Sequence, residues 1–424
     1  MFLLGVMLAP ATARAQGSEP RTVTLAEAVR LALENDPAAV AAEAAVTTAE
    51  ANLLSTRGSW LPSLTFNSAY GNSSNQRFDQ ASGQLVSESY SAQLQANYTI
   101  FSGGRRIAQN RAAGARLEAA EAAQRAQRFS TVLRTTELFY SAAAAEEMVA
   151  IAEQRLSRAE QQLEFARTRL EVGSATRSDV LRAEIEVGNA RIALVDAESA
   201  RRSARLELGR ILGLSDGARP AGSALPERAP TLPPLDELVR RAEARSPAVV
   251  AARAEAESFA AQRSVARLAY LPTVGLNSSY DWFAYQFPPN QESWSLRLQV
   301  SLPIFNGFQR EATLQQAAAS ARAAEARARD AAIAVRNAVE TGVVEVRAAE
   351  ERIEIAARAV ELAREDLRVQ EERYQIGNAT IVELQTSQVA LADAEIAYLR
   401  ARQALGVAIA RLEATLGERL VSDS

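Results

Sequence analysis

Four short stretches of this chain alternate apolar and polar residues, two of them without interruption, and most of what lies between them follows a helical period. From Ser89 to Ile100 the apolar positions are Tyr90, Ala92, Leu94, Ala96, Tyr98 and Ile100, interleaved with Ser89, Ser91, Gln93, Gln95, Asn97 and Thr99. A period of two puts these sets on opposite faces of a β-strand. Ser293 to Ser301 repeats the pattern with Trp294, Leu296, Leu298 and Val300. A partner run precedes each: Leu64, Phe66 and Tyr70 in one case, Val274, Leu276, Tyr280 and Trp282 in the other. Both partners begin just after a Leu-Pro pair, Leu61-Pro62 and Leu271-Pro272, where proline disfavours continuation of a helix. The pattern predicts two hairpins, four strands of about ten residues each, the length of a membrane-spanning strand.

From Gly104 to about Glu171, and from Phe308 to Ile376, the period becomes helical. Val149, Ala152, Leu156, Ala159, Leu163, Ala166 and Leu170 form a heptad seam, and Ile353, Ala356, Val360, Ala363, Leu367, Gln370 and Tyr374 repeat it. Ile355, Ala359, Leu362 and Val369 make a second seam beside the later one, so that helix meets neighbours on two sides, which suits a ring of helices. At 1.5 Å per residue each helix is about 100 Å long, beyond the scale of a globular domain. Gly173 and Gly377 interrupt them, and Leu181, Ile185, Ile192, Val195 and Leu206 mark a returning helix. Shorter helical runs, Leu25 to Trp60 and Leu235 to Leu268, precede the strands.

The punctuation recurs in order, so the chain is a duplication. Asp36-Pro37 and Leu61-Pro62 reappear as Ser246-Pro247 and Leu271-Pro272, an offset of 247 − 37 = 210. Phe101-Ser102-Gly103, Gly173-Ser174-Ala175-Thr176 and Leu212-Gly213 reappear as Phe305-Asn306-Gly307, Gly377-Asn378-Ala379-Thr380 and Leu416-Gly417, an offset of 307 − 103 = 204. The expected organisation is a first repeat at 16–213, a Pro/Gly-rich linker at 214–234, a second repeat at 235–417 and a tail at 418–424. Residues 1–15 read as a secretory signal peptide, an apolar run ending in Ala13-Arg14-Ala15; the basic start is missing, so the true signal is expected to begin upstream.

Composition narrows the function. The 424 residues include no cysteine and no histidine, which removes disulfides, thiolate nucleophiles, imidazole bases and the usual zinc ligands. No catalytic residue, metal site or cofactor is nominated, and no enzyme activity is expected. A net charge of -4 with Arg and Glu interspersed offers no basic stripe for nucleic acid. Nine of the 12 Trp and Tyr residues (Trp60, Tyr70, Tyr90, Tyr98, Tyr270, Tyr280, Trp282, Tyr285, Trp294) fall in the strand regions, as in the aromatic girdles of transmembrane barrels. A soluble sandwich capping a coiled coil would also alternate. Four strands cannot close a barrel, so two, three or more copies must pool their hairpins. Two would give a filled eight-stranded barrel; three would give twelve strands and a lumen lined by Ser, Gln, Asn and Thr.

Taken as an ordered set, Leu61-Pro62, Tyr98 to Gly103, Leu271-Pro272, Leu302-Pro303-Ile304-Phe305-Asn306-Gly307 and Arg373-Tyr374-Gln375-Ile376-Gly377 resemble the TolC-like outer-membrane efflux proteins, from Val23 to Gly417. The resemblance implies a mainly α fold with transmembrane β: a homotrimer with a 12-stranded β-barrel in outer-membrane lipid, continued by a long α-helical barrel into the periplasm. It implies a passive duct that works with a periplasmic adaptor and an inner-membrane RND, ABC or MFS transporter, in efflux or type I secretion. A trimeric coiled-coil adhesin or scaffold without a conducting lumen is the alternative. Thr99 departs from the pattern where the second half has Pro303.

Residue by residue, the resemblance assigns adaptor contact to the tips Gly173, Ser174, Gly377 and Asn378. Trp294, Leu296, Leu298 and Val300 are the lipid-facing row. Asp179 and Glu383 each lie six residues past a tip glycine, where threefold assembly would gather like charges in a ring. By resemblance Glu383 matches the acidic constriction, and Tyr374, Asp179 and Arg402 match residues whose contacts hold the closed gate. Thr386 and Ala379 stand where the family carries a further acid and an arginine, which implies weaker cation block and a looser latch.

Overall fold

The computed structural model describes residues 20–79, 83–222 and 225–420. The expected signal peptide and residues 421–424 of the tail lie outside them. In chain order the elements are β1 (Arg21–Val23), α1 (Leu25–Asn35), α2 (Pro37–Gly58), β2 (Ser63–Asp79), β3 (Gln84–Phe101), α3 (Arg105–Glu171), α4 (Arg177–Leu212), β4 (Ala218–Pro220), α5 (Leu235–Arg245), α6 (Pro247–Arg267), β5 (Thr273–Ala284), β6 (Gln291–Ser301), α7 (Gln309–Gln375) and α8 (Ile381–Leu416). The duplication extends to length: α3 and α7 are 67 residues each, α4 and α8 36 each. Each helical run before the strands is in fact two helices, split at Asp36-Pro37 and Ser246-Pro247, because proline lacks the donor a continuous helix needs. Strands β2 and β3 reach 17 and 18 residues, longer than the alternating pattern. Their added length lies beyond a register shift between Asn72 and Arg77, after which Arg77, Phe78 and Asp79 pair with Val86, Leu85 and Gln84; the shift breaks the alternation that would have marked these pairs.

Among the described residues two compact units emerge, and each draws on both halves of the sequence: those up to Val40, between Arg128 and Val239 and from Ala338 onward form one, those between Ala41 and Gln127 and between Arg240 and Asn337 the other. The second holds an antiparallel sheet of order β2-β3-β5-β6. Its registers (Tyr70 opposite Tyr90, Leu94 opposite Tyr280, Leu276 opposite Leu298) align the apolar rows of all four strands on one face. Trp294, Leu296, Leu298 and Val300 lie on that face, 62% to 74% exposed. The opposite face is polar and cross-linked: Gln93 donates to Asp281 at 2.6 Å, Ser279 donates to Asp281 at 2.8 Å, and the Ser279 and Ser295 hydroxyls meet at 3.0 Å.

An arginine on each first helical turn fastens strand to helix. Arg106 donates to the Thr99 carbonyl and stacks over Trp60 and Tyr98, 5.7 and 5.6 Å from the ring centres. Arg310, its equivalent 204 residues on, donates to the Pro303 and Ile304 carbonyls at 2.6 and 3.0 Å and stacks over Tyr270 at 4.8 Å.

The other unit is built on close helix packing. Its main core joins Val23 of β1, Ala28 and Ala32 of α1, Phe139 and Ala142 of α3, Leu208, Ile211 and Leu212 of α4, and Ala218 of β4. Strands β1 and β4 pair in parallel, an element too short for periodicity to reveal. Buried Asp36 accepts from the Thr131 hydroxyl at 2.7 Å and so ties the α1–α2 break to α3. The linker is pinned as well. Leu225 is buried among Ala143, Ala144 and Leu399. Arg402 of α8 donates to the Leu225 carbonyl and to Glu147 of α3, both at 2.9 Å.

One turn further along α8, a Cβ on Gly406 would come within 2.7 Å of the Tyr140 ring and 3.2 Å of Pro226. Gly406→Val is therefore expected to lower stability by about 1–3 kcal/mol through overpacking, read as a lower midpoint in denaturant unfolding; an unchanged midpoint would show that the linker does not seat on this face.

Candidate functional site

Both hairpin tips fold by the same local rules. The Gly173 and Gly377 backbones are left-handed, φ 76° and 83°, which closes α3 and α7 at little steric cost. The Ser174 and Asn378 amides reach back to the Arg169 and Arg373 carbonyls at 2.8 and 2.7 Å, and the glycine amides to Leu170 and Tyr374 at 3.0 and 3.1 Å. This double bond satisfies carbonyls that a helix end otherwise leaves open. Arg169 and Arg373 tighten each turn by donating to the Ser174 and Asn378 carbonyls at 3.2 and 3.1 Å. The apolar residues beside the glycines point outward, Val172 at 73% and Ile376 at 72% exposed.

The acids singled out as ring charges are helix caps. Thr176 and Thr380 are the N-caps of α4 and α8, and Asp179 and Glu383 complete capping boxes. Asp179 accepts from the Thr176 amide and hydroxyl, both at 2.8 Å. Glu383 accepts from the Thr380 amide at 2.7 Å and hydroxyl at 2.9 Å. These hydrogen bonds hold the Glu383 carboxyl below its ordinary value. Thr-x-x-Asp and Thr-x-x-Glu are legible in the sequence, and the reading that fixed on the acids passed over the threonines three residues before them.

Tyr374 is 5% exposed. Its ring meets Phe165 at 5.8 Å and lies under the Arg169 guanidinium at 4.9 Å, while Arg169 also donates to the Tyr374 carbonyl at 2.7 Å. Burial pushes the phenol up; the Arg169 charge opposes this and the Asp179 charge adds to it. Tyr374 and Asp179 are thus brought within electrostatic reach, and Arg169, which the sequence did not single out, ties Tyr374 to Ser174 of the other tip. Arg402 is not brought there. It lies 402 − 380 = 22 residues into α8 from its N-cap, about 33 Å along the helix axis, engaged with Glu147 and the linker. Among the described residues no group of acids is placed to hold a metal, and no helix is long and apolar enough to cross a membrane.

Because the folded Glu383 pKa is depressed, its contribution to the tip is present above its ordinary value of 4.5 and is lost as pH falls through the lower folded value. Thr380→Ala should weaken the α8 start by about 1 kcal/mol and speed amide exchange at residues 381–384. Glu383→Gln, which keeps a capping acceptor, should leave exchange near wild type and abolish the acid-induced change. Equal fraying in both variants would contradict the capping assignment.

The family model described as outer membrane efflux protein matches residues 28–214 and 238–418. Among known proteins, the chain is 29% identical to protein CyaE of Bordetella pertussis over 376 residues, 86% of this chain and 78% of that one. It is 28% identical to the cobalt-zinc-cadmium resistance protein CzcC of Cupriavidus metallidurans over 218 residues, 50% of each chain. The fold matches the outer membrane protein VceC of Vibrio cholerae with a TM-score of 0.76 at 20% identity, covering 94% of this chain and 97% of that one. It matches the open-state MtrE outer membrane channel of Neisseria gonorrhoeae with a TM-score of 0.77 at 22% identity, covering 95% and 93%. These likenesses make the fold that of the TolC-like channels, and with both repeats matched the chain belongs to the outer membrane efflux protein family.

Proposed function

We propose that three copies of this efflux-family exit duct close a single twelve-stranded barrel in the outer membrane, with the helices of each copy lining a passage into the periplasm. The observation that carries this reading is the sheet. Strands β2 and β6 are its edges and run in opposite directions, so β6 of one copy can extend the ladder of the next with every neighbour antiparallel. A bilayer leaves unpaired backbone groups no water, which makes such edges untenable until the ring closes. The apolar face would then meet lipid, with Trp294, Leu296, Leu298 and Val300 as its outward row, and the polar face the lumen.

The helices support the same assembly. Leu181, Ile185, Ile192 and Val195 form an exposed apolar stripe on α4, and Ile355, Leu362 and Val369 form another on α7. Two different stripes on one chain suit head-to-tail contacts that close into a ring. The outward Val172 and Ile376 beside Gly173, Ser174, Gly377 and Asn378 offer an apolar contact for a periplasmic adaptor, and an inner-membrane transporter of the RND, ABC or MFS type would drive export. Glu383 and Asp179 would ring the inner mouth, each carboxylate held at its helix start by a threonine, with Tyr374 beside Asp179 as the latch. Arg402 belongs to the linker anchor in this reading and not to the gate. The relative CzcC, a cobalt-zinc-cadmium resistance protein, brings divalent metal ions forward as one cargo class.

Purified protein in planar bilayers is expected to give discrete conductance steps, and Glu383→Gln to lower cation selectivity. Steady absence of conductance from assembled protein would instead favour a scaffold without a lumen. Leu298→Arg should cost about 2–4 kcal/mol at mid-membrane and abolish the heat-modifiable oligomer on gels, whereas Gln299→Arg should retain it; equal tolerance would contradict the assignment of the two faces.

A further inference from the structure

The polar face of the sheet carries two charges, and both belong to the second hairpin. Its rows can be followed through the registers. Ser63, Asn97, Asn277 and Arg297 lie level on the four strands, and Asn67, Gln93, Asp281 and Ser293 form a second level row. Every other residue that shares this face, from Ser63 to Gly71 on β2 and along β3, β5 and β6, is uncharged. In the first hairpin the equivalent positions, 297 − 204 = 93 and 281 − 210 = 71, hold Gln93 and Gly71. The charges are therefore no inheritance of the repeat, and each copy supplies one of each sign.

The two are held differently. Asp281 is partly buried against the sheet, accepting from Gln93 at 2.6 Å and from Ser279 at 2.8 Å. Arg297 is exposed, and no acceptor among the described residues engages its guanidinium. Its own row offers a serine hydroxyl and two asparagine amides. The one acid on the same face, Asp281, is level with Ser293, four residues away along β6, about 13 Å. The edge strand β2 brings no counter-ion either, since Ser63, Thr65, Asn67, Ala69 and Gly71 are its residues on this face. A cation with several N–H donors and no carboxylate in reach is thus offered to whatever fills the space before the sheet.

We infer that Arg297 forms an anion-binding collar inside the barrel, one guanidinium from each copy, which favours solutes carrying phosphate or carboxylate groups. This rests on the multi-copy barrel proposed above, which turns the polar face inward, and adds a charge selectivity to its wall. Rings of arginine or lysine confer anion and phosphate selectivity on pores in this way. Asp281 does not cancel the collar, because its short side chain is tied to the wall and sits nearer the hairpin turn, whereas Arg297 lies nearer the passage to α7. Cargo arriving from the helices meets the arginines first. The collar also raises the barrier to free metal cations.

Planar-bilayer recordings with inorganic tripolyphosphate on both sides test the collar. In about 0.1 M KCl, where charges act over about 10 Å, the probe is expected to block wild-type current. Arg297→Gln should need at least about tenfold more probe for the same block, and its reversal potential in a KCl gradient should move toward cation selectivity. Arg297→Lys, which keeps the charge, should stay within about threefold of wild type. Asn277→Arg, which adds a second cation to the same row, should tighten the block. In about 1 M KCl, where the screening length falls to about 3 Å, these differences should close. Conducting wild-type channels that the probe does not block would overturn the collar while leaving the barrel standing. So would unchanged block and reversal potential in Arg297→Gln, or no tightening in Asn277→Arg. Absence of conductance from the unmodified chain would instead remove the barrel reading itself.

Discussion

An open sheet edge cannot stay open in a bilayer. Each backbone amide and carbonyl left unpaired in hydrocarbon costs several kcal/mol, and this chain presents two such edges, β2 and β6, on a sheet of four strands. Everything else in the strand-bearing unit is arranged around that debt. The apolar rows of the four strands fall on one face, the polar face is tied by Gln93, Asp281, Ser279 and Ser295, and the two edges run in directions that allow uniform antiparallel closure. In the barrel proposed here one copy is incomplete, and the number of copies would follow from the number of strands a hollow barrel needs.

Duplication explains how one sequence supplies both a sheet and the long helices that follow each hairpin. The equivalent arginines Arg106 and Arg310 hold the two strand-to-helix passages in the same way, each by carbonyls seven residues back and an aromatic ring placed just before a Leu-Pro pair. The equivalent tips close with glycine at the end of one helix and a threonine-acid box at the start of the next. The halves differ where the chain must be asymmetric. Only the linker side of α8 carries the Arg402 anchor, and only the first junction finds its β5 partner within the copy.

The fold was largely legible because its signals are periodic. Tyr90 to Ile100 and Trp294 to Val300 announce strands, Gly173 and Gly377 announce the helix ends, and the offsets of 210 and 204 announce the repeat. What escaped detection was aperiodic or depended on distant partners. The three-residue strands β1 and β4 are too short to show a period. The breaks at Pro37 and Pro247 were visible as prolines yet were subsumed into single helical runs. At the site, Asp179 and Tyr374 fall near each other, whereas Arg402 does not join them: 22 residues of helix separate it from the α8 N-cap, a distance that a residue-by-residue match passes over. Arg169, which stacks on Tyr374, had no local signature; its role exists only once α3 and α7 are side by side.

The number of copies that share the sheet decides whether the proposed barrel is hollow or filled. Native mass spectrometry of the protein released from outer membranes in mild detergent measures it directly. With a chain of 45.6 kDa, less any leader removed on export, a hollow twelve-stranded barrel predicts one species at three times the mature chain mass. A dimer, whose eight strands would make a filled barrel, or a stable monomer would contradict it.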